Sequence, residues 1–277
     1  MALECSMYRA KSLNPVLKLI APALVLLCAF LFLRATAGSS KPDASPGSPA
    51  RKAVLVELFT SEGCSSCPPA DKLLGRLRQD LAGRGFEVIP LGLHVDYWNS
   101  LGWKDRFSSA EFSRRQEQYA QALRIDGPYT PQMVIDGETE FVGSNNERAH
   151  AAITEAAALP QKAEIELSAT APDNLIVHVK AAADQNGSLV MLAITEDNLA
   201  TRVGAGENNG RELRHAAVVR ELRQLGRMQQ GSFQAGVPLK IAKEWKPADL
   251  RAVIFVQQGD SGVILGAASV PLQAQAR

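Results

Sequence analysis

Cysteine is scarce in this chain, and its positions restrict the chemistry that the protein can carry out. The 277 residues include four cysteines, and two of them, Cys5 and Cys28, lie in an N-terminal segment with the features of a signal peptide. If that segment is removed, Cys64 and Cys67 form the one dithiol of the mature protein. The sequence also lacks a second CxxC motif and a Met-rich loop, two features that would favour a Cu(I) or Zn site.

The chain has no excess of charge of either sign. Its 30 Lys and Arg residues nearly balance 29 Asp and Glu residues. Residues 1–37 carry four of the basic groups and one of the acidic groups, so their removal leaves a net charge of about −2. This balance gives no support to nucleic acid or an anionic membrane as a partner.

The N-terminal segment is short for a transmembrane helix. Its apolar run from Leu19 to Leu33 has about 15 residues, whereas about 20 are needed to span a bilayer. Basic residues precede this run, and Ala35-Thr36-Ala37 fits the small-x-small cleavage pattern. We therefore predict a signal peptide over residues 1–37, a flexible linker over residues 38–50, and a periplasmic or secreted location. Because Arg34 is unusual beside a cleavage site, an uncleaved membrane anchor is the alternative.

The remaining residues divide into two predicted domains, 51–159 and 160–277. In the first, apolar runs of strand length alternate with apolar residues at helical spacing, in the order β-α-β-α-β-β-α. In the second, short strands are separated by turn signals such as Asn186-Gly187, a pattern typical of an all-β antiparallel sandwich.

Cys64 and Cys67 lie between a predicted buried strand and a predicted helix start. A disulfide that closes so short a loop adds only roughly 2 kcal/mol of stability, so the spacing favours redox chemistry over a structural role. Free N–H groups and the dipole at a helix N-terminus stabilise a thiolate, which is the form that attacks a disulfide. We predict Cys67 at the helix N-cap and Pro68 at the first helical position.

Around these cysteines the chain resembles the thioredoxin superfamily. The resemblance covers residues 53–158 and includes the element order, the strand–CxxC–helix junction and Thr130-Pro131 before the third strand. Residues 57–71 (ELFTSEGCSSCPPAD) and 94–98 (HVDYW) are similar to an exported bacterial thioredoxin-like family of unknown function. The resemblance implies an α/β thioredoxin-like domain, which the antiparallel sandwich would follow.

The resemblance also implies a role for each residue of the site. Cys64 would attack a substrate disulfide and Cys67 would resolve the mixed disulfide, so that the two alternate between a dithiol and a disulfide. Pro131 would be a cis-proline that contacts the substrate together with Thr130. No organic cofactor is implied, but a redox partner protein and a cysteine-containing protein substrate are required.

In the thioredoxin fold, the ends of the first two strands and the start of the third share one edge of the sheet. Four residues near the end of the second strand would therefore wall the dithiol or tune its pKa: His94, Asp96, Tyr97 and Trp98. Glu57 would accept a proton below the disulfide. For four of the five residues there is a plainer alternative: Glu57 could point to water, His94 could be an ordinary hydrogen-bonded residue, and the rings of Tyr97 and Trp98 could cap the core.

The sequence thus predicts an exported thiol–disulfide oxidoreductase. One alternative is a Cu(I)- or Zn-binding module in which His94 or Asp96 joins the two thiolates. The other alternative is a non-enzymatic binding protein that keeps Cys64 and Cys67 as a structural disulfide.

Overall fold

The structure is a computed structural model of the chain and describes residues 52–171, 173–259 and 261–272, which belong to one compact unit. The predicted signal peptide and linker lie outside the described residues. Three α-helices are present in the described part: α1 (Pro68–Asp80), α2 (Ala110–Ala122) and α3 (Asn146–Ala158). The same residues form thirteen strands: β1 (Ala53–Thr60), β2 (Glu87–His94), β3 (Gln132–Ile135), β4 (Thr139–Val142), β5 (Ala163–Ala171), β6 (Asn174–Ala181), β7 (Leu189–Glu196), β8 (Leu199–Arg202), β9 (Glu212–His215), β10 (Val218–Arg227), β11 (Ser232–Pro238), β12 (Leu250–Gln257) and β13 (Ile264–Pro271).

Eight of these strands form one mixed sheet in the order β13-β12-β7-β10-β2-β1-β3-β4. Strands β1 and β2 are parallel, with Thr60 opposite His94, and β3 is antiparallel to β1, with Gln132 opposite Phe59. A three-stranded sheet, β11-β6-β5, and the two-stranded hairpin β8-β9 complete the strands. Strands from both sides of residue 160 therefore share the large sheet.

The predicted fold class is wrong. The described part of the chain is mostly β, and it is not a thioredoxin α/β domain followed by a separate sandwich. Strands β7 and β12, which we assigned to the sandwich, are central strands of the large sheet, and β10 joins them to β2 through Val218 opposite Gly92. The apolar run Val253-Ile254-Phe255-Val256 is buried throughout, which is typical of a strand covered on both faces.

Three clusters of buried apolar side chains pack against the large sheet. Helices α1 and α3 cover one face of β1, where Leu58 packs with Leu74 and Ile153. Helix α2 covers the opposite face, where Phe59 contacts Tyr119 edge to face. The three-stranded sheet packs on the far end of the large sheet through a third cluster of buried aliphatic residues. Strand β1 is therefore buried on both faces, and the segment that follows it starts from a rigid strand end.

None of the helices in the described ranges combines the length and the hydropathy that a membrane span requires.

Candidate functional site

Cys64 and Cys67 form a disulfide in the segment between β1 and α1. Their Cα atoms are 5.4 Å apart. Cys67 is the N-cap residue of α1 and Pro68 is its first residue, as predicted. The Cys67 N–H donates to the carbonyl of Cys64 at 3.2 Å, so the two cysteines close one tight turn at the helix start.

Both cysteines are fully buried, with 0% of their surface exposed. Between them, Ser65 and Ser66 are exposed, and the Ser66 hydroxyl oxygen lies 3.3 Å from the Cys64 sulfur. A dithiol that exchanges with a partner must be reached by an attacking sulfur. In this conformation, the serines are accessible and the sulfurs are not.

The strand register brings most of the predicted wall residues to the edge that carries the cysteines. Because Thr60 lies opposite His94 and Phe59 lies opposite Gln132, the segments that start at Ser61, Val95 and Pro131 meet at one edge. The Thr130–Pro131 peptide bond is cis.

Trp98 and Tyr97 link this edge to the neighbouring elements. The Trp98 indole N–H donates to the Thr130 hydroxyl at 2.8 Å, and a Cβ added to Gly63 would lie 3.2 Å from the Trp98 Cβ. The Tyr97 hydroxyl donates to Gln116 at 3.1 Å. Burial raises the pKa of Tyr97 to about 12, so this phenol stays protonated at neutral pH.

Asp96 makes its contacts with α2. The Asp96 N–H donates to the Ser113 hydroxyl oxygen at 3.1 Å, and that hydroxyl donates to the Asp96 carboxylate at 2.5 Å. These two bonds attach the segment after β2 to α2, so Asp96 helps to hold the position of the aromatic residues that follow it.

Glu57 is engaged in a buried ion pair on the α2 face of the sheet. Arg115 donates to both carboxylate oxygens of Glu57, at 2.6 and 2.8 Å, and the Tyr119 hydroxyl donates to one of them at 2.5 Å. Burial alone would lower the pKa of Arg115, but the Glu57 carboxylate raises it. In this arrangement, Glu57 is the counter-ion of the Arg115 guanidinium, whereas the resemblance implied that it accepts a proton.

His94 belongs to a buried ion pair beside the cysteine segment. Its Nδ1 atom lies 2.6 Å from the Asp105 carboxylate, and both side chains are almost fully buried. Burial opposes charge on each group, but their attraction prevails, so the pKa of His94 is raised and that of Asp105 is lowered. Asp105 also accepts the backbone N–H of Glu62 at 2.9 Å and thereby ties this pair to the residue two before Cys64.

Glu62 itself is fully buried and is held from two sides. His215 Nε2 lies 3.2 Å from one carboxylate oxygen, and the Trp103 indole N–H donates to the other at 2.8 Å. Burial would raise the pKa of Glu62, but the hydrogen bond with His215 contributes most to lowering it. The rings of His94 and His215 are 4.9 Å apart, so the two acid–histidine pairs are neighbours.

Asp71 is a further buried acid of the same region. It lies four residues after Cys67, in the first turn of α1, and its N–H donates to the Cys67 carbonyl at 3.1 Å. Burial raises the pKa of Asp71, while the nearby His94 and His215 partly oppose the increase. A surface cavity of about 260 Å³ opens at this point, with Asp71, Lys72 and His215 in its wall.

The turn of the β8-β9 hairpin covers the cysteine segment. The Asn208 side-chain amide donates to the backbone carbonyls of Glu62 and Cys64, both at 2.9 Å. The exposed Glu207 carboxylate accepts the Ser65 N–H at 2.9 Å, and this hydrogen bonding lowers its pKa. A segment more than 140 residues away in the sequence thus contributes to the burial of the disulfide.

Five residues of this site were not predicted from the sequence: Glu62, Asp71, Asp105, Asn208 and His215. Glu62 and Asp71 flank the cysteines within the recognised segment, and their closeness to the CxxC motif was a signal that could have identified them. The other three lie on distant elements and have no local signature. Within the described ranges, no group of three or more His, Cys, Asp or Glu side chains is placed to hold a metal ion.

The fold and the site define a mostly β protein with a buried CxxC disulfide. The chain belongs to a family of proteins of unknown function, DUF1223, whose model matches residues 55–257. The matched range includes both cysteines, the cis-proline and the hairpin turn.

Two solved structures are similar to this chain. The crystal structure of protein AGR_C_4864 from Agrobacterium tumefaciens has a TM-score of 0.66 and 24% identity, and the match covers 83% of this chain and 99% of that one, so the two proteins share a fold. A domain of the outer membrane lipoprotein Omp28 from Porphyromonas gingivalis has a TM-score of 0.24 and 15% identity over 43% of this chain and 94% of that one, a likeness too low to support an argument. No curated protein matches the chain.

Proposed function

We propose that the protein is an exported thiol–disulfide oxidoreductase that reacts through Cys64 and Cys67. The observation that carries the proposal is the Cys64–Cys67 disulfide at the N-terminus of α1. The position of Pro131 at the same sheet edge supports it. The local resemblance of the CxxC segment to the thioredoxin superfamily also supports it.

Cys64 is the attacking thiolate in this proposal, and Cys67 is the resolving thiol. In the direction that begins with the disulfide, a substrate thiolate attacks the Cys64 sulfur, the Cys64–Cys67 bond breaks, and Cys67 leaves as a thiolate that takes up a proton. The second thiolate of the substrate then attacks the substrate sulfur of the mixed disulfide, which closes the substrate disulfide and releases Cys64. Two electrons and two protons pass from the substrate dithiol to the protein, and the reverse sequence oxidises the protein.

The reaction requires a cysteine-containing protein substrate and a redox partner protein that restores the starting state. An exported location fits this chemistry, because a disulfide persists in an oxidising compartment. The Glu62–His215 and His94–Asp105 pairs place buried ionisable groups next to the cysteine segment.

An exchange assay with the purified protein tests the proposal. The oxidised protein is mixed with a reduced peptide that contains two cysteines, and mass spectrometry follows the disulfide content of both. We expect the protein to become a dithiol as the peptide becomes a disulfide. With Cys64→Ser or Cys67→Ser, the peptide should not be converted to its disulfide. The matched control Ser65→Ala should still convert it. Equal peptide oxidation in all four proteins would contradict the proposal.

A second function is favoured by the complete burial of both sulfurs. In this alternative, the protein is a non-enzymatic binding protein, and the disulfide only fastens the start of α1 to the end of β1. The same assay would then show no exchange by the wild-type protein. Replacement of both cysteines by alanine would lower the free energy of unfolding by roughly 2 kcal/mol without loss of binding function.

A further inference from the structure

The turn of the β8-β9 hairpin, residues 203–211, is the part of the protein that lies over the cysteine segment; we refer to it as the hairpin turn. Asn208 is fully buried in its contact with the backbone of Glu62 and Cys64. Glu207 on the outside accepts the Ser65 N–H. The hairpin turn therefore satisfies three backbone polar groups around the disulfide with two side chains.

The contacts of the hairpin turn reproduce those of a peptide backbone. The Asn208 amide donates N–H groups to two carbonyls, and the Glu207 carboxylate offers an oxygen to an N–H. An extended polypeptide offers N–H donors and carbonyl acceptors of the same kind, and a docking strand pairs with exposed backbone in this way. The segment 62–65 thus presents backbone groups that a substrate strand could satisfy in place of the hairpin turn.

The hairpin turn has few apolar contacts with the rest of the molecule. Most of its residues are exposed; Val203 and Asn208 are the two buried ones. A Cβ added to Gly204 would lie 3.2 Å from the Trp103 ring, and one added to Gly206 would lie 3.2 Å from the Trp103 Cβ. Leu199, the first residue of β8, packs with Phe107 and Val218 in a small separate cluster. A segment held mainly by polar contacts opens at a lower free-energy cost than a core element.

From these contacts we infer that the hairpin turn occupies the position of a substrate backbone. We also infer that the substrate is a polypeptide that presents a cysteine within an extended segment. This inference rests on the proposed function. A partner strand replaces the hydrogen bonds of Asn208 and Glu207 with its own backbone groups, which brings its cysteine to the Cys64 sulfur. A small thiol has no such groups and reaches the disulfide only when the hairpin turn opens unaided.

The exchange step follows the same balance as before. The thiolate of the partner cysteine forms a bond to the Cys64 sulfur, the Cys64–Cys67 bond breaks, and the electron pair leaves on Cys67, which takes up a proton. The partner is held as a mixed disulfide through Cys64. A second cysteine of the same partner then releases it.

The inference is tested with three thiols and the full-length protein. The thiols are a seven-residue peptide of Thr and Val with one central cysteine, the same peptide N-methylated on the amides that flank the cysteine, and 2-mercaptoethanol, which has no amide group. At equal thiolate concentration, we expect the peptide to form a mixed disulfide about tenfold faster than 2-mercaptoethanol, because it regains two hydrogen bonds of ordinary strength. N-methylation removes backbone N–H donors and should abolish this advantage. Equal rates for all three thiols would overturn the inference.

Variants of the hairpin turn test the same inference from the protein side. Asn208→Ala and the isosteric Asn208→Asp both remove the donor amide, so a result from either folded variant suffices. Each should raise the rate with 2-mercaptoethanol about tenfold. The matched control Asn209→Ala alters the exposed neighbour and should leave that rate unchanged. If the Asn208 variants and Asn209→Ala react alike, the hairpin turn does not control access and the inference fails.

The outcomes separate this inference from the proposed function. If the wild-type protein exchanges with thiols at rates that do not depend on the peptide backbone or on Asn208, the proposed function stands and the inference is wrong. If no thiol exchanges with the wild-type protein or with either Asn208 variant, both are wrong.

Discussion

His215 Nε2 lies 3.2 Å from the Glu62 carboxylate, a buried contact that joins the last residue of β9 to the residue two before Cys64. The His215 and Glu62 side chains are 2% and 0% exposed. When one of them is removed, no water can reach the other to replace the lost hydrogen bond. The hairpin is therefore attached to the cysteine segment at three points, through this pair, through Asn208 and through Glu207. The contact leads to the first prediction.

His215→Phe should lower the free energy of unfolding at pH 7 by about 1–3 kcal/mol, because the Glu62 carboxylate loses a buried hydrogen-bond partner. The hydrogen bond with His215 lowers the pKa of Glu62, so its contribution is present at neutral pH and is lost as the pH falls through that lowered pKa. Urea denaturation at pH 7 and at low pH measures the loss. In a Glu62→Gln/His215→Phe double variant, the two effects should not add. Additive effects would show that the pair does not interact.

A second prediction concerns Glu57 and Arg115. Arg115→Met leaves a buried carboxylate without its counter-ion and should lower the free energy of unfolding by about 3–5 kcal/mol. A Glu57→Leu/Arg115→Met double variant should lose less than the single variant, because no charge remains buried. Urea denaturation gives both values. Arg114→Met, at the exposed neighbouring position, serves as the control and should change stability by less than about 0.5 kcal/mol. A single variant as stable as this control would contradict the prediction.

A third prediction concerns the pH dependence of stability. Burial raises the pKa of Asp136 to about 7, although the Leu55 N–H donates to its carboxylate at 2.7 Å. The folded protein therefore holds a proton that the unfolded chain releases near pH 4, so this group makes stability fall as the pH rises from about 4 to about 7. Its contribution to the slope is at most about 1.4 kcal/mol per pH unit.

Asp136→Asn should remove this part of the slope, and asparagine tolerates the positive φ of 46° at that position. Chemical denaturation at pH 5 and pH 8 measures the change relative to the wild-type protein. Asp184→Asn is the matched control, because this aspartate is exposed and is not among the charged groups that shift the pKa of Asp136, so the slope should keep the Asp136 contribution. A slope that Asp136→Asn does not alter would show that the carboxyl titrates normally.

A fourth prediction concerns the packing behind the cis-proline. A Cβ added to Gly143 would come within 2.6 Å of Leu58 Cδ1 and within 3.4 Å of Ala70 and Pro131. Gly143→Ala should lower the free energy of unfolding by about 1–3 kcal/mol through overpacking. Gly236→Ala, where the nearest atom would be 4.0 Å away, should have a much smaller effect. Thermal unfolding of the two variants compares them, and equal melting temperatures would contradict this account of the packing.

Local elements were predictable because their patterns are local. The apolar run of Ala53 to Phe59 and the helical spacing of Leu73, Leu74 and Leu77 correspond to β1 and α1. The partition into sheets was not predictable in this way. A continuous apolar run such as 253–256 is consistent with several buried environments, and only the pairing of β12 with β7 places it at the centre of the large sheet.

The same dependence on local patterns explains which site residues could be predicted from the sequence. The cysteines and Pro131 carry their signal in adjacent residues, whereas Asn208 and His215 meet the cysteine segment only through the course of the hairpin. For Glu57, the local pattern predicted a buried strand but gave no sign of the ion pair with Arg115. Buried polar partners from distant elements are invisible to periodicity and spacing.

Trapping of mixed disulfides with Cys67→Ser tests the central claim most directly. Without the resolving thiol, Cys64 should remain bound to partner proteins after expression in the native compartment, in complexes that dithiothreitol dissociates. The Cys64→Ser/Cys67→Ser double variant should give none of these complexes. Covalent adducts through Cys64 that depend on the absence of Cys67 are the predicted result. The absence of any adduct, in a folded Cys67→Ser protein whose Cys64 is a free thiol, would contradict the account.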